Sequence, residues 1–231
     1  MTARPPAIVS VLRALVALAI EAALLAWGLG GFGALLASPR ALALIAIWGA
    51  VGITLSLTRP SRGQDLVRSE RDPLAMAALA LIPLAIPAVA AWGGRLGIWR
   101  LPAPEILGWA GVALSALGLA IRVAAMRQLG ARFSPLLAVQ REHALETRGL
   151  YASVRHPGYL GSLLASWGAA IVFGSALALP LAALMTLVQW DRVRREERLL
   201  ASQFGDAWRS YAARTGALFP RLTRGSASQE S

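Results

Sequence analysis

The sequence predicts an all-α, polytopic membrane protein of about six transmembrane helices, ending in a helical hairpin with a cytoplasmic loop and a cytoplasmic C-terminal helix. Three observations carry this. Of the 231 residues, 56% are apolar and only 15% charged, where a soluble domain carries about 25% charged residues. The apolar residues are gathered into runs that can cross a bilayer, which takes about 20 helical residues. The runs also lack the period-two alternation of barrel strands. In lipid, a helix satisfies its own backbone within one segment.

The first run is 7–27, the second 41–58, the third 74–92 and the fourth 104–126. Glu21 interrupts the first run, and no small-residue cleavage site leads into a polar mature start, so it reads as a retained span rather than a signal. A buried acid there suggests a functional role, a partner on another helix, or reach to the interface. Arg13 and Arg122 sit near span ends and are expected to snorkel. The fifth run, Tyr159 to Trp190, is too long for one span. Gly174-Ser175 and Pro180 divide it into a hairpin, 159–173 and 176–200, whose second arm continues as a charged helix. Each arm is short.

Every basic residue is arginine, and the basic excess is 23 to 12. With the N-terminus inside, twenty arginines fall on the cytoplasmic side and three (Arg40, Arg95, Arg100) on the other. That asymmetry puts both termini in the cytoplasm and accounts for the net charge through anionic lipid headgroups. No nucleic-acid partner is implied. The absence of cysteine excludes disulfides, thiolate metal sites and thiol nucleophiles. Two histidines give no basis for a metal. A G-x-G-x-x-G at Gly28, Gly30 and Gly33 follows a membrane helix rather than a strand, so it reads as a turn, not a dinucleotide site.

Chemistry is expected in the two long cytoplasmic segments, 127–158 and 191–231. The first holds Glu142-His143 and Arg155-His156-Pro157-Gly158, and leads into Tyr159. Its residues suit a polar-ligand site and equally a solvated loop whose arginines meet lipid phosphate. In the second, a helical wheel at about 100° per residue puts Glu197 on the apolar stripe of Val193, Leu200 and Phe204, with Trp208 and Tyr211 following if the helix continues. Glu196 lies on the flank. An inward carboxylate needs a partner: a structural ion pair or a cationic ligand. Asp191/Arg195 and Arg192/Glu196 have i,i+4 spacing.

The order of these pieces is more telling than any one. "EHALETRGLYASVRHPGYLG", an apolar hairpin, then "REERLLASQFGDAWRSYAARTGALFP" resembles the isoprenylcysteine carboxyl methyltransferase family, part of a wider group that includes phospholipid methyltransferases. The resemblance covers roughly 105–222. It implies S-adenosylmethionine as cofactor, bound without a Rossmann domain. It implies catalytic roles for Arg155, Glu197 and Arg214, with Tyr211 near the acceptor. His143, Leu145, Gly149, Tyr151, His156, Pro157, Tyr159, Glu196 and Glu197 are the implied cofactor pocket. "GLY" at 149–151 departs from the family's frequent "GPY".

The implied organisation is N-terminal spans over 1–103, a methyltransferase core over 104–222 and a disordered tail over 223–231. The implied acceptor is a lipophilic or small carboxylate, amine or thiol. Alanine and arginine richness without lysine suggests a bacterial inner-membrane protein, so the prenylated eukaryotic substrate does not carry over. Two other readings remain. One is an NADPH-dependent membrane reductase of the sterol reductase type, which shares the hairpin and an R-H-P-x-Y-like segment. The other is a non-enzymatic membrane scaffold.

Overall fold

Each apolar run becomes a helix, and prolines mark where several begin. The computed structural model describes residues 7–57, 66–70, 72–130, 137–140 and 145–221. Its helices are α1 (Ala7–Leu29), α2 (Phe32–Leu36), α3 (Pro39–Leu57), α4 (Pro73–Leu96), α5 (Pro104–Leu129), α6 (Pro157–Ile171) and α7 (Leu179–Arg214). Pro73, Pro104, Pro157 and Pro180 stand in the first turn of α4, α5, α6 and α7, where the missing N–H costs nothing. Asp72 caps α4 by accepting from the Ala75 N–H at 3.0 Å. A two-stranded antiparallel ribbon, β1 (Leu66–Glu70) with β2 (Leu137–Gln140), joins two of the interhelical segments.

Within α1 Val9–Leu29, and over the whole of α4 and α5, the helices are long and apolar enough to cross a membrane, and Pro39–Thr54 of α3 is a shorter apolar helix. Their outer faces remain apolar: Leu12, Trp27, Leu81, Ile106 and Leu117 are all exposed. Such surface belongs against lipid, and the chain is an integral membrane protein. The G-x-G-x-x-G segment is the turn from α1 into α2, with Gly30 and Gly31 at positive φ.

Helix α6 has 15 residues, about 22 Å, short of a hydrocarbon core of about 30 Å. The hairpin turn after it is buried against the α4–α5 connection. Ser175 is fully buried and donates to the Ile98 carbonyl at 2.7 Å. Leu101 N–H donates to Gly174 O, and Ala176 N–H to Trp99 O, both at 2.9 Å.

Helices α5 and α6 form the closest pair. A Cβ on Gly118 would lie 2.4 Å from the Gly161 carbonyl, and one on Gly111 would lie 2.6 Å from the Gly168 carbonyl. Ser115 donates to Ala165 O between them at 3.2 Å. Small residues at this spacing let two backbones touch. The pair fixes the start of α6 beside the end of α5, which is where the candidate site lies. A second core, with Ile86 and Ala90 of α4, Ala169 and Ala170 of α6, and Ala182 and Met185 of α7, ties the hairpin to the N-terminal helices.

Glu21 is almost fully buried in α1, and neither of its oxygens has a hydrogen-bond partner among the described residues.

Candidate functional site

The site is made where the loop before α6 meets the polar half of α7. Arg155 N–H donates to Gly216 O at 2.8 Å and His156 N–H to Ala217 O at 3.0 Å. The chain past α7 thus folds back along the start of α6. His156 then occupies the N-cap of α6 and Pro157 its first turn.

The side chains converge on two carboxylates. Arg155 Nε donates to Glu197 Oε1 at 2.8 Å, and His156 Nε2 lies 3.3 Å from the same oxygen. His156 Nδ1 is 3.9 Å from Glu196 Oε1. Tyr159 donates its hydroxyl proton to Glu196 Oε2 at 2.8 Å and accepts from Arg192 Nε at 2.8 Å. Arg192 also reaches the Met76 sulfur at 3.5 Å. The i,i+4 pair expected between Arg192 and Glu196 therefore has the Tyr159 hydroxyl standing between its members. The other expected pair is present, Arg195 to Asp191 at 2.7 Å, and Arg195 also reaches Asp72 at 3.2 Å.

Exposure separates the roles. The side chain of His156 is 3% exposed, while Glu196 and Glu197 are 33% and 27% exposed. The imidazole is sealed, and the carboxylates are partly exposed. Burial alone pushes the Glu197 carboxyl up, but hydrogen bonds from His156 and Arg155, with the Arg155 charge, outweigh it and hold it below the usual carboxylate value. Glu197 is an anion at neutral pH.

Arg155 is held on several sides. One Nη donates to the carbonyls of Ala212 (3.1 Å) and Thr215, and the guanidinium lies 5.9 Å from the centre of the Trp208 ring. Its geometry is that of a positioning residue that locks Glu197 to the chain after α7. Gly205, at φ 51° inside α7, bends the helix so that Trp208 and Tyr211 stay buried. Tyr211 donates to Tyr151 O at 2.7 Å, and burial pushes its phenol up to about 12, so it remains a donor.

The remaining expected residues fall as follows. Tyr151 is buried and its hydroxyl donates to Ala125 O at 3.4 Å. Gly149 takes φ 54° beside Gln128, whose amide spans Arg148 O and Leu150 N–H. Leu145 is half-buried and Pro157 buried. These support the loop from behind. Arg214 is exposed in the last turn of α7, with no hydrogen bond or ion pair among the described residues. His143 and the tail from 222 lie outside the described residues. Among the described residues, no group of three or more His, Asp or Glu could hold a metal ion.

Sequence reasoning missed Met76, Gln128 and the role of Arg192. The i,i+4 spacing pairs Arg192 with Glu196, but its bond to the Tyr159 hydroxyl depends on the packing of α6 on α7. Met76 carried no signal, since only tertiary packing of α4 on α7 brings it there.

Residues 106–207 match the family model described as phospholipid methyltransferase. A protein-S-isoprenylcysteine O-methyltransferase of Schizosaccharomyces pombe is 36% identical over 112 residues, 46% of this chain and 46% of that protein. Methanethiol S-methyltransferase 1 of Bradyrhizobium diazoefficiens is 41% identical over 71 residues, 31% of this chain and 24% of that protein. The solved structure of the eukaryotic intramembrane Ras methyltransferase (isoprenylcysteine carboxyl methyltransferase) gives a TM-score of 0.48 at 22% identity, covering 78% of this chain and 77% of that one. The chain spans about half the length of the first of these relatives. The family-model match falls on the α5–α6–α7 segment that carries the two carboxylates and their partners, and in that segment the chain is similar to phospholipid methyltransferases.

Proposed function

We propose that the chain is an S-adenosylmethionine-dependent methyltransferase of a bacterial inner membrane, acting on a lipophilic or small carboxylate, amine or thiol. The observation that carries this is the Glu196–Glu197 pair, partly exposed and braced by Arg155, His156 and Tyr159, inside the family-matched segment. The reading divides the chain into N-terminal spans over 1–103 and a methyltransferase core over 104–222. It also counts six spans, adding α3 and the two hairpin arms to the three long apolar helices, with both termini cytoplasmic.

The donor set fits the cofactor. S-adenosylmethionine presents an ammonium and a sulfonium, and two carboxylates at one opening match positive charge. When bound it supplies an electrophilic methyl group. The chain's part is positioning and exclusion of water rather than covalent catalysis. Glu197 would hold the cofactor's positive charge. Arg155 and His156 hold Glu197 Oε1 in place, and Tyr159 holds Glu196 Oε2. His143 joins the pocket by resemblance alone. Attack by an anion on a cation annihilates charge, so a site poor in water favours it. A carboxylate acceptor needs no general base, whereas an amine or thiol must lose a proton, a role open to Glu197 or a histidine.

The test is transfer of radiolabelled methyl from S-adenosylmethionine into a lipid and small-molecule acceptor panel, with wild type and Glu197→Gln. Wild type should label an extractable product, and the variant should lose at least about a hundredfold of the rate, since a partly buried, hydrogen-bonded charge is removed. Full activity in folded Glu197→Gln removes Glu197 from the mechanism.

A further inference from the structure

Past α7 the chain forms a short strap that returns to the start of α6. Val154 and Gly216 pair in parallel. Gly216 N–H donates to Ser153 O at 3.3 Å, and Gly216 O accepts from Arg155 N–H at 2.8 Å. Parallel pairing gives the strap the direction of 153–156, which lead into α6, so the strap heads toward the membrane. It then turns back, and Arg221 Nη1 donates to Ala213 O at 2.6 Å. The turn is tight: Gly216 leaves no room for a Cβ against the Phe219 carbonyl. Phe219 stands in this turn and is 69% exposed.

The strap bears on the carboxylate site through Arg155. That guanidinium donates to Glu197 Oε1 at 2.8 Å and, through one Nη, to Thr215 O, while its backbone N–H is held by Gly216 O. The strap's outer side is different. Arg214 and Arg221 are exposed, and neither forms an ion pair among the described residues. Both flank an exposed aromatic beside His156 and Pro157, where α6 begins. An aromatic ring with unpaired arginines at that level has the composition of an interfacial anchor. The ring suits the headgroup boundary, and a guanidinium fork matches phosphate oxygens.

We propose that the turn over 216–221 is a docking surface for an anionic lipid leaflet. Phe219 enters the headgroup boundary, and Arg214 and Arg221 meet lipid phosphates. The docked strap steadies Arg155 against Glu197. The lipid here is a positioning partner, not a methyl acceptor. The proposal deepens the methyltransferase reading and rests on it for the cytoplasmic placement of the strap and for the cofactor product used below. Two arginines at an anionic surface favour docking by about thirtyfold over a neutral one.

The chain has no cysteine, so Pro220→Cys can carry a single nitrobenzoxadiazole label beside Phe219. The labelled full chain is placed in nanodiscs of phosphatidylcholine, alone or mixed with phosphatidylglycerol, with and without a spin-labelled lipid as quencher. Quenching should be stronger in the anionic discs and should fall in concentrated salt. Arg221→Gln should weaken docking about fivefold, and Phe219→Ser should weaken it too. Arg209→Gln, which removes a charge that Asp206 already pairs, should leave docking unchanged. The unlabelled chain should bind S-adenosylhomocysteine at least about threefold more tightly in the anionic discs, and Arg221→Gln should remove that gain. Equal quenching in both discs overturns the proposal, leaving an apolar anchor without charge recognition. Absence of quenching also overturns it, and means that another part of the chain covers Phe219. Quenching that follows lipid charge, with equal S-adenosylhomocysteine affinity in both discs, overturns the link to Arg155. Quenching that follows lipid charge in a chain that binds no S-adenosylhomocysteine in either disc upholds the docking surface and defeats the methyltransferase reading.

Discussion

Glycines join both α1 to α3 and α5 to α6, but they meet different things. A Cβ on Gly52 of α3 would rest 3.6 Å from the Ala14 Cβ, and one on Gly49 would lie 3.2 Å from a Leu18 methyl. These neighbours are side chains, and the leucine can shift. A Cβ on Gly118 of α5 would instead lie 2.4 Å from the Gly161 carbonyl and 2.5 Å from the Ala165 nitrogen. Backbone cannot move aside without moving the helix. The polar groups divide in the same way. Around α6 and α7, Arg155, His156, Tyr159, Glu196 and Glu197 all have partners. Farther from the site, Glu21 and Trp48 of the N-terminal helices and Gln189 of α7 keep buried polar atoms without partners among the described residues. The C-terminal half is over-determined around a site that must hold sub-ångström geometry. The α1–α3 seam has room to vary, whereas α1 meets α4 as tightly as α5 meets α6, a Cβ on Gly28 lying 2.5 Å from the Ala88 carbonyl.

Substitutions can break this contrast, and the largest effect belongs to the glycines. Gly118→Val should cost more than about 3 kcal/mol, since overpacking against backbone has no relief. Gly52→Ala should fall within about 0.5 kcal/mol of wild type, as surface-like changes do. Thermal unfolding in detergent checks both, and equal effects would erase the distinction between the halves.

Removing the Tyr159 hydroxyl comes next. Tyr159→Phe leaves Glu196 Oε2 and Arg192 Nε without their shared partner, and should weaken S-adenosylhomocysteine binding by about tenfold, near the cost of one charge-assisted hydrogen bond. Calorimetry reads this directly.

The pH dependence of Glu197 is smaller and signed. Its folded-state carboxyl titrates below the ordinary range. Its stabilising contribution is therefore complete above the unfolded value, about 4.3, and is lost as pH falls through the folded value. The wild-type melting temperature should drop on acidification through that window, and Glu197→Gln should flatten the drop. A parallel acid limb in the variant would assign the effect to other carboxylates.

Least is expected from the Arg195–Asp72 pair, both members of which are about 30% exposed. Asp72→Asn should cost less than about 1 kcal/mol, and the Asn side chain can still cap α4. A larger loss would mean that this contact fastens α7 to the N-terminal helices.

Much of this was legible in the sequence. The four apolar runs and the break at Gly174-Ser175 gave the helices and the hairpin, because lipid allows few alternatives. The wheel through Val193, Glu197, Trp208 and Tyr211 put Glu197 on the buried face, where it meets Arg155 and His156. What escaped notice depended on distance in space. The Tyr159 hydroxyl between Arg192 and Glu196 needs the packing of α6 on α7. Arg122 donates to Gly158 O at 3.1 Å instead of snorkelling, and this inward turn needs the glycine contact that brings Gly158 beside it. That contact was readable in principle, as small residues at Gly111, Ser115 and Gly118 facing Gly161, Ala165 and Gly168. The β1–β2 ribbon left no signal, since its strands are short and flanked by charge.

The central claim is that the carboxylate pair receives a methyl donor. The most direct measurement is calorimetric titration of the detergent-solubilised chain with S-adenosylhomocysteine, alongside NADPH, for wild type and Glu197→Gln. The account predicts micromolar binding of S-adenosylhomocysteine by wild type, its loss in folded Glu197→Gln, and no response to NADPH. Binding of NADPH alone, or of neither compound by a folded protein, would contradict it.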